Sequence, residues 1–435
     1  MRVAVVSTIV LAALSIGCAK DGAREQLAVT QSTPGPSSQP SAQPSTEPSA
    51  LHDPASVPLP NAEVRFTTRV LSNDFYAESA AIGDIDGDGV VDLIAGPLWF
   101  RGPEFEVLGQ LAAAPTFDLD HYSSFFLSFG GDLDDDGDLD VIAIDHPGGP
   151  NGNGAPNARW YDNPGPAGLN SEWPVHQLFD AVVGNESPTF ANLLPGDAKQ
   201  LVFMTDGKLG YALPSLPPSE PWQFTPISGQ QFSTPYVHGL GIAEVTGDGR
   251  ADVLEATGYW EQPTSLEQAW THHAIDFAEG GMGGAQMYGF DVDGDGDTDV
   301  LSSLNAHGYG LAWFEQISAN EFVAHEILPS QATAESFSQQ HAMVVADING
   351  DGLLDVVTGK RYYAHPSATP DPGTTDPAVV YWFELVREGG VQFVPHLIHS
   401  DSGVGCSFAV GDVTGDGRPD VFTANKHGIF LHVQD

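Results

Sequence analysis

The stretch DVDGDGDTD, residues 291–299, sets five carboxylates in nine residues: Asp291, Asp293, Asp295, Asp297 and Asp299. Two like charges ~4 Å apart cost about 1 kcal/mol in water and several in a partly buried turn, so an empty turn of this kind works against folding. The stretch nevertheless recurs. DIDGDGVVD begins at Asp84, DLDDDGDLD at Asp132, EVTGDGRAD at Glu244, DINGDGLLD at Asp347 and DVTGDGRPD at Asp412. NLLPGDAKQ, from Asn192, keeps the flanks but has lost the acids. The seven starts are separated by 48, 60, 52, 47, 56 and 65 residues, a spacing that marks a repeat architecture.

Working outward, every turn sits between strand-like segments. SAAIG and HAMVVA precede turns; VDLIAG, DVLSSL, DVVTG and DVFTAN follow them. An aromatic strand comes next, as in LWF at 98, RWYDN at 159, AWFEQ at 312 and VYWFEL at 380. A fourth segment carries an aromatic-x-x-His theme: WPVHQL at 173, WTHHAI at 270, FVAHEI at 322 and FVPHLI at 393. The histidines of this theme, His176, His273, His325 and His396, read as structural. Four strands in each of seven units predict an all-β fold, a seven-bladed β-propeller of four-stranded antiparallel blades. FTTRVL, 66–71, fits the fourth-strand theme but precedes the first unit, while the last unit stops after its third strand, GIFLHV at 428–433. The N-terminal strand is therefore expected to close the ring, which removes an exposed sheet edge.

The chain has 435 residues, 58 acidic against 15 basic side chains and a formal charge of −43. At 41% hydrophobic with 23 Phe, 11 Tyr and 8 Trp, it has material for a core, so the acidity is not that of a disordered chain. The charge excludes nucleic acid and anionic membrane surfaces as partners and fits cations. Arg2 precedes the apolar run VAVVSTIVLAALSIG, too short for a permanent span, and Gly17 precedes Cys18 in LSIGC. Residues 1–18 are read as a lipoprotein signal peptide with Cys18 as the lipidated residue, and Ala19 after it points to the outer membrane or cell surface. Residues 19–60, with STPGPSSQPSAQPSTEPSA, read as a disordered Ser/Pro-rich tether, and 61–435 as the propeller. Cys406 is the only other cysteine, so a lipidated Cys18 leaves no internal disulfide.

In the turns, side chains at positions 1, 3, 5 and 9 and a carbonyl at 7 offer hard oxygen ligands, which suit Ca²⁺. An EF-hand would need helices on both sides and a Glu at position 12, and neither is present. Taken together, the units resemble the FG-GAP/VCBS repeats of integrin-α-type propellers, in the form found in exported bacterial lipoproteins, over nearly all of 61–435. That resemblance implies structural calcium between the first and second strands of each blade, at up to six sites. The ligands it implies are Asp84, Asp86, Asp88 and Asp92; Asp132, Asp134, Asp136 and Asp140; Glu244, Thr246, Asp248 and Asp252. The remaining sets are Asp291, Asp293, Asp295 and Asp299; Asp347, Asn349, Asp351 and Asp355; Asp412, Thr414, Asp416 and Asp420. Glu244, Thr246 and Thr414 depart from the all-acid pattern and imply weaker sites, and the Asn192 unit implies none.

Function is expected on the opposite face, around the mouth of the central channel. Six residues before each position 1 stand Glu78, Phe126, Glu186, His238, Ala285, His341 and Cys406. Glu78, Glu186, His238 and His341 offer either a metal site or an acid–base set, with Gln286 beside them; polar channel residues served by water are the alternative. Other loops of that face hold Asp145 and His146, Lys208, Tyr259 and Trp260, Asn305 and His307, Lys360, Arg361, Tyr362 and His365, and Lys426 and His427. Lys208, Asn305, His307, Lys360, Arg361, Tyr362, His365, Lys426 and His427 are the candidate ligand-binding residues, and their basic and aromatic character points to an anionic or sugar-like ligand. Two functions follow: a surface-displayed module recognising a glycan or protein, and a carbohydrate-active lyase or dehydratase. A looser similarity, to the propeller of aldos-2-ulose dehydratase, does not extend residue by residue.

Overall fold

Each acidic turn is the hairpin connection between two strands, and one register pair closes it. Gly83 lies opposite Asp92, Gly131 opposite Asp140, Ala243 opposite Asp252, Phe290 opposite Asp299, Ala346 opposite Asp355 and Gly411 opposite Asp420. The acid-free unit keeps the geometry, with Ala191 opposite Gln200. The glycine at turn position 6 is left-handed throughout, from φ 81° at Gly249 to 96° at Gly296, a backbone that side chains resist. The computed structural model describes residues 64–147, 156–196, 198–215, 220–232, 236–362, 364–365 and 370–435. Residues 1–18, read above as a signal peptide ending at Cys18, and residues 19–60, read as a tether, lie outside them.

Among the described residues every regular element is a strand, 28 in all. Their distribution corrects the expectation of seven separate blades. Five blades are free-standing four-stranded sheets, and the remaining eight strands, from Leu240–Ala243 to Glu321–Leu328, form one continuous sheet. The join is a parallel pairing of Leu240 with Gln286 and Gly241 with Met287. Gly241 permits it: a Cβ there would lie 2.1 Å from the Met287 carbonyl oxygen. Elsewhere, neighbouring units meet through isolated bridges such as Ser79 with Ser407 and Asn185 with Val237. Phe66–Ser72 pairs antiparallel with Gly428–Gln434, so the first strand among the described residues is the outer strand of the last sheet.

The second strands explain the packing. Asp140–Ile144, Asp299–Ser303 and Asp355–Gly359 are buried along their whole length, because each has a neighbouring unit on both sides. Successive residues therefore go to different neighbours. Val141 packs with Leu93 of the preceding unit, and Ile142 with Phe203 of the following one. Val300 packs with Leu254, and Leu301 with Val356. Phe422, near the end of the chain, packs with Leu93 and closes the circuit. Each such side chain contributes about 1.5–3 kcal/mol by leaving water.

The ninth turn residue pins this frame. Asp92 accepts the backbone N–H of Ile85, 2.9 Å, and of Gly102 beyond the third strand, 2.8 Å. Asp140 does so from Leu133 and Asn163, Asp252 from Val245 and Gln262, Asp299 from Val292 and Gln316. Asp355 accepts from Ile348 and Leu385, and Asp420 from Val413 and Gln434. Gln200 reproduces half of the pattern, taking Leu193 and Leu194 N–H on one oxygen. All six acids are at most 1% exposed. Burial pushes their carboxyls up against the pull of these N–H groups, to about 7 for Asp140 and Asp355 and about 6 for Asp252 and Asp299.

Candidate functional site

The donor set of the turns fits a hard cation. Carboxylate oxygens of Asp84, Asp86 and Asp92 lie within 4.8 Å of one another, as do those of Asp132, Asp134 and Asp136 and of Asp291, Asp293 and Asp295. These three turns carry acids at positions 1, 3 and 5. Oδ1 of Asp134 and Oγ1 of Thr246, both at position 3, are buried without a hydrogen-bond partner among the described residues. The other turns are partly balanced from within: Arg250 bonds Asp248, and Arg418 bonds Asp416 at 2.5 Å. One of the three all-acid turns is also met by a cation: Arg101 reaches Asp86 at 2.8 Å and Asp88 at 2.6 Å. The Asn349 amide donates to Asp351 and to Glu384, at 3.0 and 3.1 Å.

At the start of the innermost strands, the side chains six residues upstream of the turns point to one place. Glu186 Oε2 lies 3.0 Å from His341 Nε2 and 3.5 Å from His238 Nε2, and the two Nε2 atoms are 3.2 Å apart. Arg361 donates to Glu78 Oε1 at 2.9 Å and stands 3.7 Å from Glu186. Glu78 Oε2 also accepts the Ser123 N–H at 3.0 Å. All five side chains are nearly sealed, from 0% exposure at His341 to 4% at Glu186. Tyr122 and Phe126 wall the guanidinium, at 5.7 and 5.2 Å from their ring centres. Burial works against ionised Glu186, but the His238 charge and hydrogen bonds from His146, His238 and His341 outweigh it and hold the carboxyl well below its usual range. Burial, reinforced by Arg361, holds the His341 imidazole well below its own.

Glu78, Glu186, His238 and His341 are thus brought together. Ala285, Phe126 and Cys406 occupy the equivalent positions as buried apolar groups. Gln286 is used by the channel wall, accepting the Met343 N–H at 3.2 Å. Phe129, Phe190, Tyr288 and Phe408, with Gln286 and Lys199, line a cavity of 290 Å³ that includes none of the four cluster residues.

The candidate ligand-binding residues divide. Lys360 and Arg361, expected at an open mouth, are 0% and 2% exposed. The Lys360 ammonium donates to the Tyr362 carbonyl at 2.7 Å, and burial pushes its pKa down to about 8. Lys426 is buried as well, donating to the Leu119 carbonyl and lying 4.8 Å from the Tyr122 ring centre. His307 is a quarter exposed, stacks on His365 at 4.8 Å and faces Asp371 at 3.5 Å. His365 bonds Asp371 at 3.0 Å. His307 and His365 outweigh burial and draw the Asp371 carboxyl down. Tyr362 stacks on His427 at 4.9 Å, Asn305 caps the His307 N–H at 3.0 Å, and Lys208 stays exposed at the start of Lys208–Leu213. Tyr122 and Asp371 belong to no repeated pattern, and no sequence signal singles them out.

Backbone strain falls at the same place. Tyr236 (φ 76°) and Gln339 (φ 60°) each stand two residues before a cluster histidine, in the left-handed region where Gly283 sits in the intervening unit. The outer-strand histidines do stack, on Trp160, Tyr259, Trp313 and Trp382 at 4.3–4.6 Å. Each also bonds an acid, Asp162, Glu261, Glu315 or Glu384.

Residues 291–358 match the FG-GAP-like repeat, within a chain whose described strands form repeated antiparallel β-sheets closed by the pairing of the first and last of them. No curated protein matches it. Among solved structures, the rhamnogalacturonan lyase YesW is 14% identical with a TM-score of 0.41, over 86% of this chain and 74% of that one. The periplasmic gluconolactonase PpgL of Pseudomonas aeruginosa is 14% identical with a TM-score of 0.42, over 83% and 94%. An auxiliary nutrient binding protein from Bacteroides ovatus is 8% identical with a TM-score of 0.43, over 86% and 78%. Likeness of this degree carries nothing about activity.

Proposed function

We propose that this chain is an exported, lipid-anchored, calcium-stabilised binding module that recognises a carboxylate-bearing glycan at the ring mouth, on the face opposite the acidic turns. The observation that carries this reading is where buried polar atoms lack partners. Arg361 Nε, His238 Nδ1, His341 Nδ1, Gln339 Nε2, both ends of the Gln340 amide and Ser338 Oγ gather at that mouth without one among the described residues. Buried polar groups are satisfied in the great majority of cases, so a concentration of exceptions marks a place completed by water or ligand. In this reading Tyr236 and His307, at the exposed edge of the mouth, offer ring faces to a sugar, the buried Arg361 charge behind them draws its carboxylate in, and calcium in the turns holds the frame. Cys18 carries the lipid, which mass spectrometry of the mature N-terminus checks.

Calorimetric titration with oligogalacturonate and with a neutral malto-oligosaccharide tests the ligand class. Binding of the uronate alone, weakened in Tyr236→Ala and His307→Ala, is the expected result; equal binding of both sugars, or of neither, overturns it. A second reading rests on the neutral state of buried His341, which is the state of a general base. As a lyase or dehydratase, the chain would remove a proton beside a carboxylate that Arg361 steadies. Release of unsaturated uronate on incubation with the same oligomer, lost in His341→Gln, supports this reading, and unaltered oligomer refutes it.

A further inference from the structure

His238, His341 and Glu186 form a triangle whose edges are 3.0, 3.2 and 3.5 Å between Nε2, Nε2 and Oε2. Four ligands placed tetrahedrally around a zinc ion at about 2.0–2.1 Å stand about 3.3 Å from one another. The match is reached without moving a side chain, among groups at most 4% exposed. Hydrogen bonding accounts for two edges of the triangle but not the third: both Nε2–H groups can donate to Glu186 Oε2, and the two nitrogens are then held 3.2 Å apart with no bond between them. A cation uses all three lone pairs at once. No described protein group meets Nδ1 of either ring, so neither tautomer is fixed against offering Nε2.

We propose that His238 Nε2, His341 Nε2 and Glu186 Oε2 hold a transition-metal ion of the zinc class, with a fourth position open toward His307. Two imidazoles and a carboxylate suit zinc and its neighbours, whereas calcium takes oxygen. His307 stands at the edge of the triangle, its ring centre 5.2 Å from that of His238 and 5.9 Å from that of His341. Nitrogens of these three histidines fall within 4.8 Å of one another. The fourth position is therefore open to His307 itself, to water or to a ligand atom. Arg361, paired with Glu78, balances the second buried acid. A divalent ion then leaves the cluster with a net positive charge, which favours a carboxylate at the open position. The metal site does not depend on which ligand the mouth takes.

The test uses the full chain stripped with EDTA, returned to millimolar calcium to saturate the acidic turns, and then given zinc or cobalt(II) alone. The expected result is one zinc per chain by elemental analysis, together with the intense visible absorption of four-coordinate cobalt. His238→Ala and Glu186→Gln should weaken zinc by at least about a hundredfold, the upper end of what losing even an outer partner costs. His325→Ala, on an outer strand, should bind as before. Zinc displaced by excess calcium, a weak six-coordinate cobalt spectrum, or equal uptake by Glu186→Gln and the parent overturns the proposal. Should His238→Ala fail to fold, the cobalt spectrum of the parent still decides. Oligogalacturonate titration of the stripped and the loaded protein separates failure of the metal site from failure of the glycan reading.

Discussion

The acidic turns and the mouth cluster are two ends of the same inner strands, and each gathers carboxylates, but they balance charge in opposite ways. At the turns, acids of one sign crowd within nine residues, with a few arginines at the rim, and the remainder of the balance is left to something outside the chain. At the mouth, Glu78 and Glu186 meet Arg361 and three histidines drawn from separate units, with Glu78 and Arg361 283 residues apart. One end is local and of one sign; the other is non-local and pairs its acids with cations and imidazoles of the chain, though it leaves several donors and acceptors unmet among the described residues. The lesson is that the same repeat can serve as a socket where its members repeat and as a site where they differ.

Removing calcium should break this comparison with the largest effect. A site filled a thousandfold above its Kd stabilises by about 4 kcal/mol, and 1 kcal/mol moves the melting point by ~2–4 °C in a domain of moderate size. With several turns filled, EGTA should lower the melting temperature by more than ~10 °C in a calorimetric scan. An unchanged melt would remove calcium from the turns. Arg361→Met probes the other end. It leaves Glu78 buried without its partner, a change that costs about 3–5 kcal/mol, and the loss should be the same in EGTA as in calcium. A loss that vanishes on chelation would mean that the two ends are coupled.

Within one turn the comparison sharpens further. Asp355→Ala leaves the buried N–H groups of Ile348 and Leu385 without their acceptor, and at about 1–3 kcal/mol for each the cost should reach at least ~2 kcal/mol in either buffer. Asp351→Ala, at exposed position 5 of the same turn, should cost measurable stability only with calcium present. Urea unfolding of both variants in the two buffers separates the pin from the ligand, and parallel behaviour would show that the ninth acid has no role of its own.

The turns were legible because every element of them is local: strand, nine-residue turn and strand recur in one reading frame. The count of separate sheets was not, because it depends on how closely two inner strands approach, and Gly241 lets Met287 within bonding distance where other units hold larger residues. The convergence of Glu78, Glu186, His238 and His341 could be read from their common offset of six residues. Burial of Lys360, Arg361 and Lys426 could not. An Arg after a second strand looks the same in sequence whether it reaches solvent or a carboxylate contributed by another unit. Tyr122 and Asp371 reach the site from irregular segments that follow no period at all.

The smallest expected effect lies at the seam where the chain closes. His432 is 0% exposed, its Nδ1 2.8 Å from the Thr68 hydroxyl and its Nε2 3.3 Å from Ser402 Oγ. Burial, reinforced by the nearby His399, pushes its pKa down to about 3. An unfolded histidine titrates near 6.5, so between pH 6.5 and 3 the unfolded chain binds a proton that the folded chain refuses. Stability from this group is whole above pH 6.5 and falls on acidification, by about 1.4 kcal/mol per unit at most and about 2 kcal/mol by pH 5. Urea unfolding at pH 7 and pH 5, in saturating calcium, should show that difference in the parent and lose it in His432→Gln, which keeps a donor and an acceptor but no titrating ring. If the variant retains the full pH dependence, the acid sensitivity belongs elsewhere, buried His341 being the other histidine held well below its usual range, and the seam is not its origin.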